Sequence, residues 1–253
     1  MLNESFSEDD TIIHALDPRI RIILAFSFSV IVSVSDRLIS ISLALVMSIV
    51  IASLARLSLR KVCLRLLVIN TLVFILWLFV PFTIDGRTLF HLGPLNATIE
   101  GVIYCLLITI KSNSIVIIIM ALTGTMSPVK MGRAMGSLRV PSKIVFLFIF
   151  TYRYIHAIHR EYMRLKDAID IRGFRPGTNL HTYRTYAYLI GMLLIKSHNR
   201  AERVQAAMLC RGFHGKFYDL SEFSLRPSDI LLFIFMSLAL TIIALLQWTT
   251  IIY

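Results

Sequence analysis

Residues 66–84 read LLVINTLVFILWLFVPFTI, with no charged side chain anywhere in the run. A helix needs about 20 mostly apolar residues to cross the hydrocarbon core of a bilayer, and this stretch meets that requirement. Working outward, residues 38–55 and 230–253 are also uncharged, as are residues 112–129. The last of these runs begins earlier, at Val102, and is interrupted by Lys111. A fifth stretch, 22–35, is long enough only if its helix starts near Pro18. Asp17 can cap such a helix, and Pro18 suits a first helical position where no N–H is needed. The expected fold is therefore an all-α integral membrane protein with about five spanning helices; residues 104–124 could instead form two short helices.

Whole-chain numbers agree. Of 253 residues, 57% are hydrophobic and 16% charged, with a mean hydropathy of +0.75. A soluble domain carries about 25% charge, so a soluble globule, a disordered chain and a collagen are all excluded. Cys63, Cys105 and Cys210 form an odd set without CxxC spacing, which argues against both a disulfide framework and a zinc site. The acidic start (Glu4, Glu8, Asp9, Asp10) lacks the basic region and small-residue cleavage site of a signal peptide.

Basic residues set the expected orientation. Arg56, Arg60, Lys61 and Arg65 fall between the second and third apolar runs, and only Arg87 between the third and fourth. Residues 125–227 hold 17 lysines and arginines against 6 acids, an excess equal to the net charge of +11. The N-terminus and residues 125–227 are thus expected on the cytoplasmic side. The organisation reads as 1–125 membrane helices, 126–227 a cytoplasmic region and 228–253 a last membrane helix.

Within the basic region the pattern becomes amphipathic. Ser127-Pro128 and Val140-Pro141 read as helix starts. Ile155, Ile158, Tyr162, Leu165 and Ile169 recur at alternating spacings of 3 and 4, with Arg153, His156, Arg160, Arg164 and Asp167 on another face. A second seam reads Ile190, Leu194, Ser197, Ala201, Val204 and Met208. The two predicted helices, 143–171 and 183–210, would each be roughly 40 Å long, too long for connecting loops.

Both helices end alike. Arg164, Ala168, Arg172, Gly173 and Phe174 recur 39 residues later as Arg203, Ala207, Arg211, Gly212 and Phe213. Either copy alone reads as a helix stop, because glycine tolerates the left-handed conformation at C′ and arginine suits the negative end of the helix dipole. Two copies, each at the tip of a long helix, suggest two equivalent plugs for two equivalent sockets on a dimeric partner.

The ordered motifs make the chain resemble the transmembrane (T) component of energy-coupling factor transporters, specifically the cobalt/nickel-type, CbiQ-like members. The resemblance covers residues 14–217. It is carried by His14-Ala15-Leu16-Asp17-Pro18-Arg19, by Thr151-Tyr152-Arg153-Tyr154, by the two Arg-Gly endings and by Glu202-Arg203 ahead of Ala207-Met208. It implies two crossed cytoplasmic coupling helices whose tips insert into two ABC-type ATPases: Ala168, Ile171, Arg172 and Gly173 in one, and Ala207, Cys210, Arg211 and Gly212 in the other. It further implies a substrate-binding membrane subunit, a small accessory membrane subunit, and ATP with Mg held by the ATPases and no cofactor held by this chain. The family usually has Ala before each Arg-Gly, where this chain has Ile171 and Cys210. The metal subtype rests on Tyr152-Arg153-Tyr154-Ile155-His156, which lacks the proline of vitamin-type members. The implied location is a bacterial or archaeal cytoplasmic (inner) membrane.

The chain contains no Gly-x4-Gly-Lys-Ser/Thr loop, so ATP binding belongs to a separate subunit. Lys111 and Arg153 are candidate contacts to the substrate-binding subunit. For Lys111, an ionisable group within an apolar run, the alternatives are snorkelling, satisfaction by Ser112, Asn113 or Ser114, or pairing with an acid in the bundle. His156 and His159 share a helix face near Glu161, yet no third ligand is fixed, so a polar face is expected there and no metal site. The basic surface suits acidic lipid and an ATPase better than nucleic acid. A vitamin-type T subunit is the nearest alternative. An intramembrane enzyme is disfavoured by the lack of paired carboxylates or clustered histidines in the spans. A passive channel would leave the long amphipathic helices without a task.

Overall fold

The computed structural model describes residues 16–84, 87–92, 95–213, 215 and 227–248. His14, Ala15, the acidic N-terminal residues, Phe217 and residues 249–253 lie outside the described residues. The chain divides into two compact units, Met1–Ala134 with Phe223–Tyr253, and Met135–Glu222.

The first unit contains α1 (Pro18–Val34), α2 (Leu38–Leu54), α3 (Leu59–Thr83), a short hairpin of β1 (Thr88–Leu92) and β2 (Leu95–Thr98), and α4 (Ile99–Leu122). A later helix returns to it, numbered α8 (Pro227–Trp248) because α5 to α7 intervene in the chain. Local chemistry explains the starts. The Asp17 carboxylate accepts from the Arg19 N–H at 2.9 Å with Pro18 following, as the sequence suggested. The Thr98 hydroxyl accepts from the Gly101 N–H and donates to the Ile84 carbonyl, so one side chain caps α4 and ties it to the end of α3.

Among the described residues, three helices are long and apolar enough to cross a membrane: Val62–Thr83, Ile99–Leu122 and Asp229–Gln247. The helices α1 and α2 have 17 residues each.

Four expectations need adjusting. The all-α reading lacked the β1–β2 hairpin, whose antiparallel register pairs Thr88 with Thr98 and Leu92 with Leu95. Arg60, Lys61 and Arg65 lie on the first turns of α3, not in a loop, because a helix can run past its apolar stretch once its starting residues are wet. The fourth helix covers 99–122 in place of 112–129, since its cap is Thr98 and its end is the Thr123–Thr125 turn. It is also continuous through Lys111, which excludes two short helices.

The central helix is α4, which packs on α1, α2 and α3. Phe28, Val32, Ile41, Ala44, Ile118, Ala121 and Ile243 are fully buried. Small residues sit among them: Ala25 and Ala44, with Ser48 and Ser114 also enclosed. Small side chains let helices approach closely where lipid removes the hydrophobic drive to associate. At one end of the bundle, the buried Arg21 donates through Nε to the Leu122 carbonyl at 2.8 Å and through its guanidinium to the Thr125 hydroxyl. A cation is thereby placed on the exposed carbonyls where α4 ends. The unit boundary falls inside α5 (Pro128–Ser137).

The second unit is essentially two long helices, α6 (Ser142–Ile171, 30 residues) and α7 (Leu180–Cys210, 31 residues). The second begins three residues ahead of the expected position, after an extended Asn179, with the Thr182 hydroxyl accepting from the Gly177 N–H. No residue of α6 is buried, and in α7 only Thr182 and Leu189 are.

Candidate functional site

The two repeated endings have the same backbone. Arg172 and Arg211 close their helices with φ of −76° and −93°. Gly173 and Gly212 follow at φ +81° and +76°. The Gly173 N–H donates to the Asp170 carbonyl (3.0 Å) and the Phe174 N–H to the Ile169 carbonyl (3.4 Å). The second ending repeats this with Gly212 to Leu209 (2.9 Å) and Phe213 to Met208 (3.1 Å). Both are complete Schellman motifs. A side chain added at either glycine would meet nothing within 4 Å, so glycine is required by φ alone, not by crowding.

Each phenylalanine then folds back onto the other helix. Phe174 lies edge-on to Tyr186 at 5.8 Å and against His181 at 6.2 Å, both early in α7. Phe213 stacks on Phe146, early in α6, at 6.1 Å. Between these two clasps, Lys196 of α7 forms an ion pair with Glu161 of α6. Contacts 146–213, 161–196 and 174–186 make the helices antiparallel. Arg172 and Arg211 therefore stand at opposite ends of the pair, on the order of 40 Å apart. Ala168, Ile171, Ala207 and Cys210 are exposed beside them, with Ile171 at 85%. Neither Arg172 nor Arg211 has a side-chain partner among the described residues, so both guanidiniums are available as planar five-donor groups.

The hydrogen bond from Lys196, with burial opposing and the charges of Lys196, Arg164 and Arg200 adding, holds the Glu161 carboxyl below its ordinary range. Nothing in the sequence pattern paired residues 35 positions apart. The seam expected from Ile155 onward also has an N-terminal continuation that the sequence pattern did not mark. Phe146, Phe150 and Tyr154 stack in series at 4.2 and 5.7 Å, a four-residue stripe that, with Ile158, lines the face toward α7. Aromatic size at i, i+4 was the signal available for it.

The remaining candidates separate. Lys111 donates to Asp36 Oδ1 at 2.8 Å and to the Ser33 carbonyl at 3.2 Å, which answers with a partner the question its apolar setting raised. Arg153 is exposed, its guanidinium 5.9 Å from the Tyr154 ring. His156 packs edge-on to Tyr152 and His159 stacks on Tyr162. Among the described residues no three His, Cys, Asp or Glu side chains cluster as metal ligands would.

Residues 9–220 match the family described as cobalt transport protein, CbiQ. The chain belongs to that family. Its likeness extends to proteins named energy-coupling factor transporter transmembrane protein EcfT. That of Thermosediminibacter oceani is 27% identical over 219 residues, covering 81% of this chain and 82% of the relative. The Bacillus subtilis protein is 24% identical over 216 residues, with 81% and 82% covered. The Acidaminococcus fermentans protein is 23% identical over 249 residues, with 93% and 92% covered. This CbiQ-family chain is thus a T component of the energy-coupling factor type, a transporter membrane component. Both matched helix ends, 164–174 and 203–213, fall within the family match.

Proposed function

We propose that the chain couples ATP hydrolysis by two partner ATPases to a substrate-binding membrane subunit in an importer of cobalt or nickel ions. One observation carries this: two helix ends with the same backbone, hydrogen bonds and unpaired arginine, set at opposite ends of one antiparallel pair. A dimeric ATPase offers two like sockets, and a bridge between them needs two like plugs. Each arginine can make bidentate contacts to a carboxylate or bond several carbonyls. Closure of the ATPases on ATP would pull on both ends of α6–α7 and shift the substrate-binding subunit. ATP and Mg belong to those ATPases, and this chain is a non-catalytic subunit holding no cofactor.

In the same proposal α1, α2, α3, α4 and α8 all cross the inner membrane. The N-terminus and the crossed coupling helices α6 and α7 lie in the cytoplasm, as the excess of lysine and arginine in 125–227 favours. Lys111 is occupied by Asp36, so of the two candidate contacts to the substrate-binding subunit Arg153 is the more accessible. The description of the matching family supports a metal cargo. The relatives' names specify no substrate, and a vitamin is the alternative cargo. Uptake of cobalt, nickel and vitamins in cells with and without the chain separates the two.

The coupling role is tested by capture of the host's soluble ATPases on the detergent-purified chain. Wild type is expected to retain an ATPase pair. Arg172→Glu and Arg211→Glu should each weaken capture by roughly thirtyfold, the effect of losing an interface hot spot worth about 2 kcal/mol, and the double variant should abolish it. Capture that ignores both arginines would reduce the two ends to helix stops.

A further inference from the structure

The second unit carries two connected cavities that the coupling role does not use. One is an apolar groove of about 810 Å³ between α6 and α7, walled by Phe146, Phe150, Tyr154, Val204, Met208 and Phe213. The other, of about 230 Å³, is lined by Glu161, Lys196, Arg200 and Arg203. Ile158, Ser197 and Arg200 line both, so the apolar groove opens at one end into a cationic one.

The charges at that end do not balance. Glu161 is committed to Lys196, with Arg164 at 3.7 Å on its other oxygen. Arg200 and Arg203 have no ion-pair partner within 4 Å among the described residues. A ligand filling both cavities must join an anion covalently to a long apolar body. A phospholipid with a net negative headgroup has that form, and basic pockets between helices at the cytoplasmic leaflet bind such headgroups. A helix from a partner protein would cover the aromatic wall but would leave two arginines facing its backbone unless it brought carboxylates to that end.

We infer that the α6–α7 groove binds one anionic phospholipid, its phosphate on Arg200 and Arg203 and its acyl chains along Phe146, Phe150, Val204 and Met208. The inference rests on the proposed placement of α6–α7 at the cytoplasmic membrane surface. The lipid would fill the open seam and hold the two helices at a set spacing while their tips are pulled.

The test is native mass spectrometry of the full chain in mild detergent, with dioleoyl phosphatidylglycerol, dioleoyl phosphatidylcholine or glycerol phosphate as probe. Wild type should retain one phosphatidylglycerol and neither of the others. Arg200→Gln with Arg203→Gln should weaken retention roughly thirtyfold, whereas Arg200→Lys with Arg203→Lys should keep most of it. Val204→Trp, which fills the groove without touching the charges, should also displace the lipid. Equal retention by wild type and the glutamine variant would overturn the site. Glycerol phosphate binding that ignores Val204→Trp would replace it with a bare anion surface. In the assembled transporter, a Val204→Cys cross-link to another subunit, with lipid retention unchanged by every variant, would give the groove to a protein helix and also overturn it. ATPase capture on the same samples reads the coupling proposal separately. Lost lipid with an unchanged thermal unfolding midpoint shows that the variants fold. Absent capture in wild type would count against coupling without touching the lipid measurement.

Discussion

The bundle and the antiparallel pair are both helical, yet they are held together by opposite means. In the bundle, α1, α2, α4 and α8 enclose Phe28, Val32, Ala44, Ile118 and Ile243 completely. In the pair, α6 has no buried residue, and among the described residues cohesion comes from two aromatic clasps and one ion pair. The bundle is a finished core whose outer surface is adapted to lipid. The pair is a frame fixed near its ends and middle, with the apolar surface between them left for something else to cover. The proposed coupling role would use both: one part that keeps its shape and one that can be displaced.

The sharpest way to break this contrast is to cut into each part. Phe28→Ala should cost about 3 kcal/mol or more, the range for a buried aromatic truncation. Leu147→Ala, on the exposed side of α6, should stay within about 0.5 kcal/mol. Thermal unfolding in detergent checks both, and equal losses would mean that the pair has a core of its own.

A smaller effect tests whether the two ends are as alike as their geometry. Gly173→Ala and Gly212→Ala force a side chain into left-handed backbone in open space, at about 1 kcal/mol each. Amide exchange at Phe174 and Phe213 should speed up by a similar, roughly fivefold, factor in the two variants. A large difference between the ends would argue against equivalent sockets.

The smallest effect lies at the centre of the frame. Lys196→Met should loosen the pair by about 1 kcal/mol or less, because the lysine is half-exposed. The pH dependence follows from the depressed Glu161 carboxyl. Its stabilisation is complete above the ordinary carboxylate range of about 4.3 and is lost as pH falls through the lower folded value. Protection factors along α6, the intrinsic exchange rate at each pH divided by the observed one, should therefore be flat from neutral pH to about 5 and fall only in stronger acid. The slope should vanish in Glu161→Gln, and a transition near neutral pH would contradict the assignment.

Much of this was legible in the sequence wherever the signal is local. Asp17-Pro18 marks the start of α1, and the paired Arg-Gly-Phe endings foretell two C-caps, because a cap is set by a handful of neighbouring residues. What escaped depends on residues brought together by folding. Asp36 lies 75 positions from Lys111, and Phe146 lies 67 from Phe213. The β1–β2 hairpin fell between two apolar runs whose composition drew attention to helices alone. The α6 seam was anticipated from its aliphatic residues, whereas Phe146, Phe150 and Tyr154 form much of its wall. Periodicity finds a stripe but cannot choose between two adjacent ones.

The Lys111–Asp36 contact has a mechanical consequence. Lys111 sits 12 residues into α4, yet it meets the turn that joins α1 to α2, and the Gln247 side chain accepts from the Asp36 N–H at that same level. The helices α1 and α2 thus end, at their shared turn, roughly 18 Å short of the start of α4. With all five helices in the bilayer, lipids flanking α2 would meet an apolar wall about 25 Å tall, and those flanking the apolar part of α3 and α4 one of about 33 to 36 Å. A bilayer core of about 30 Å must thin on one side and thicken on the other. In the proposed five-span arrangement the first unit would act as a wedge in an elastic sheet, and a partner with a short membrane span would be drawn to its thin side.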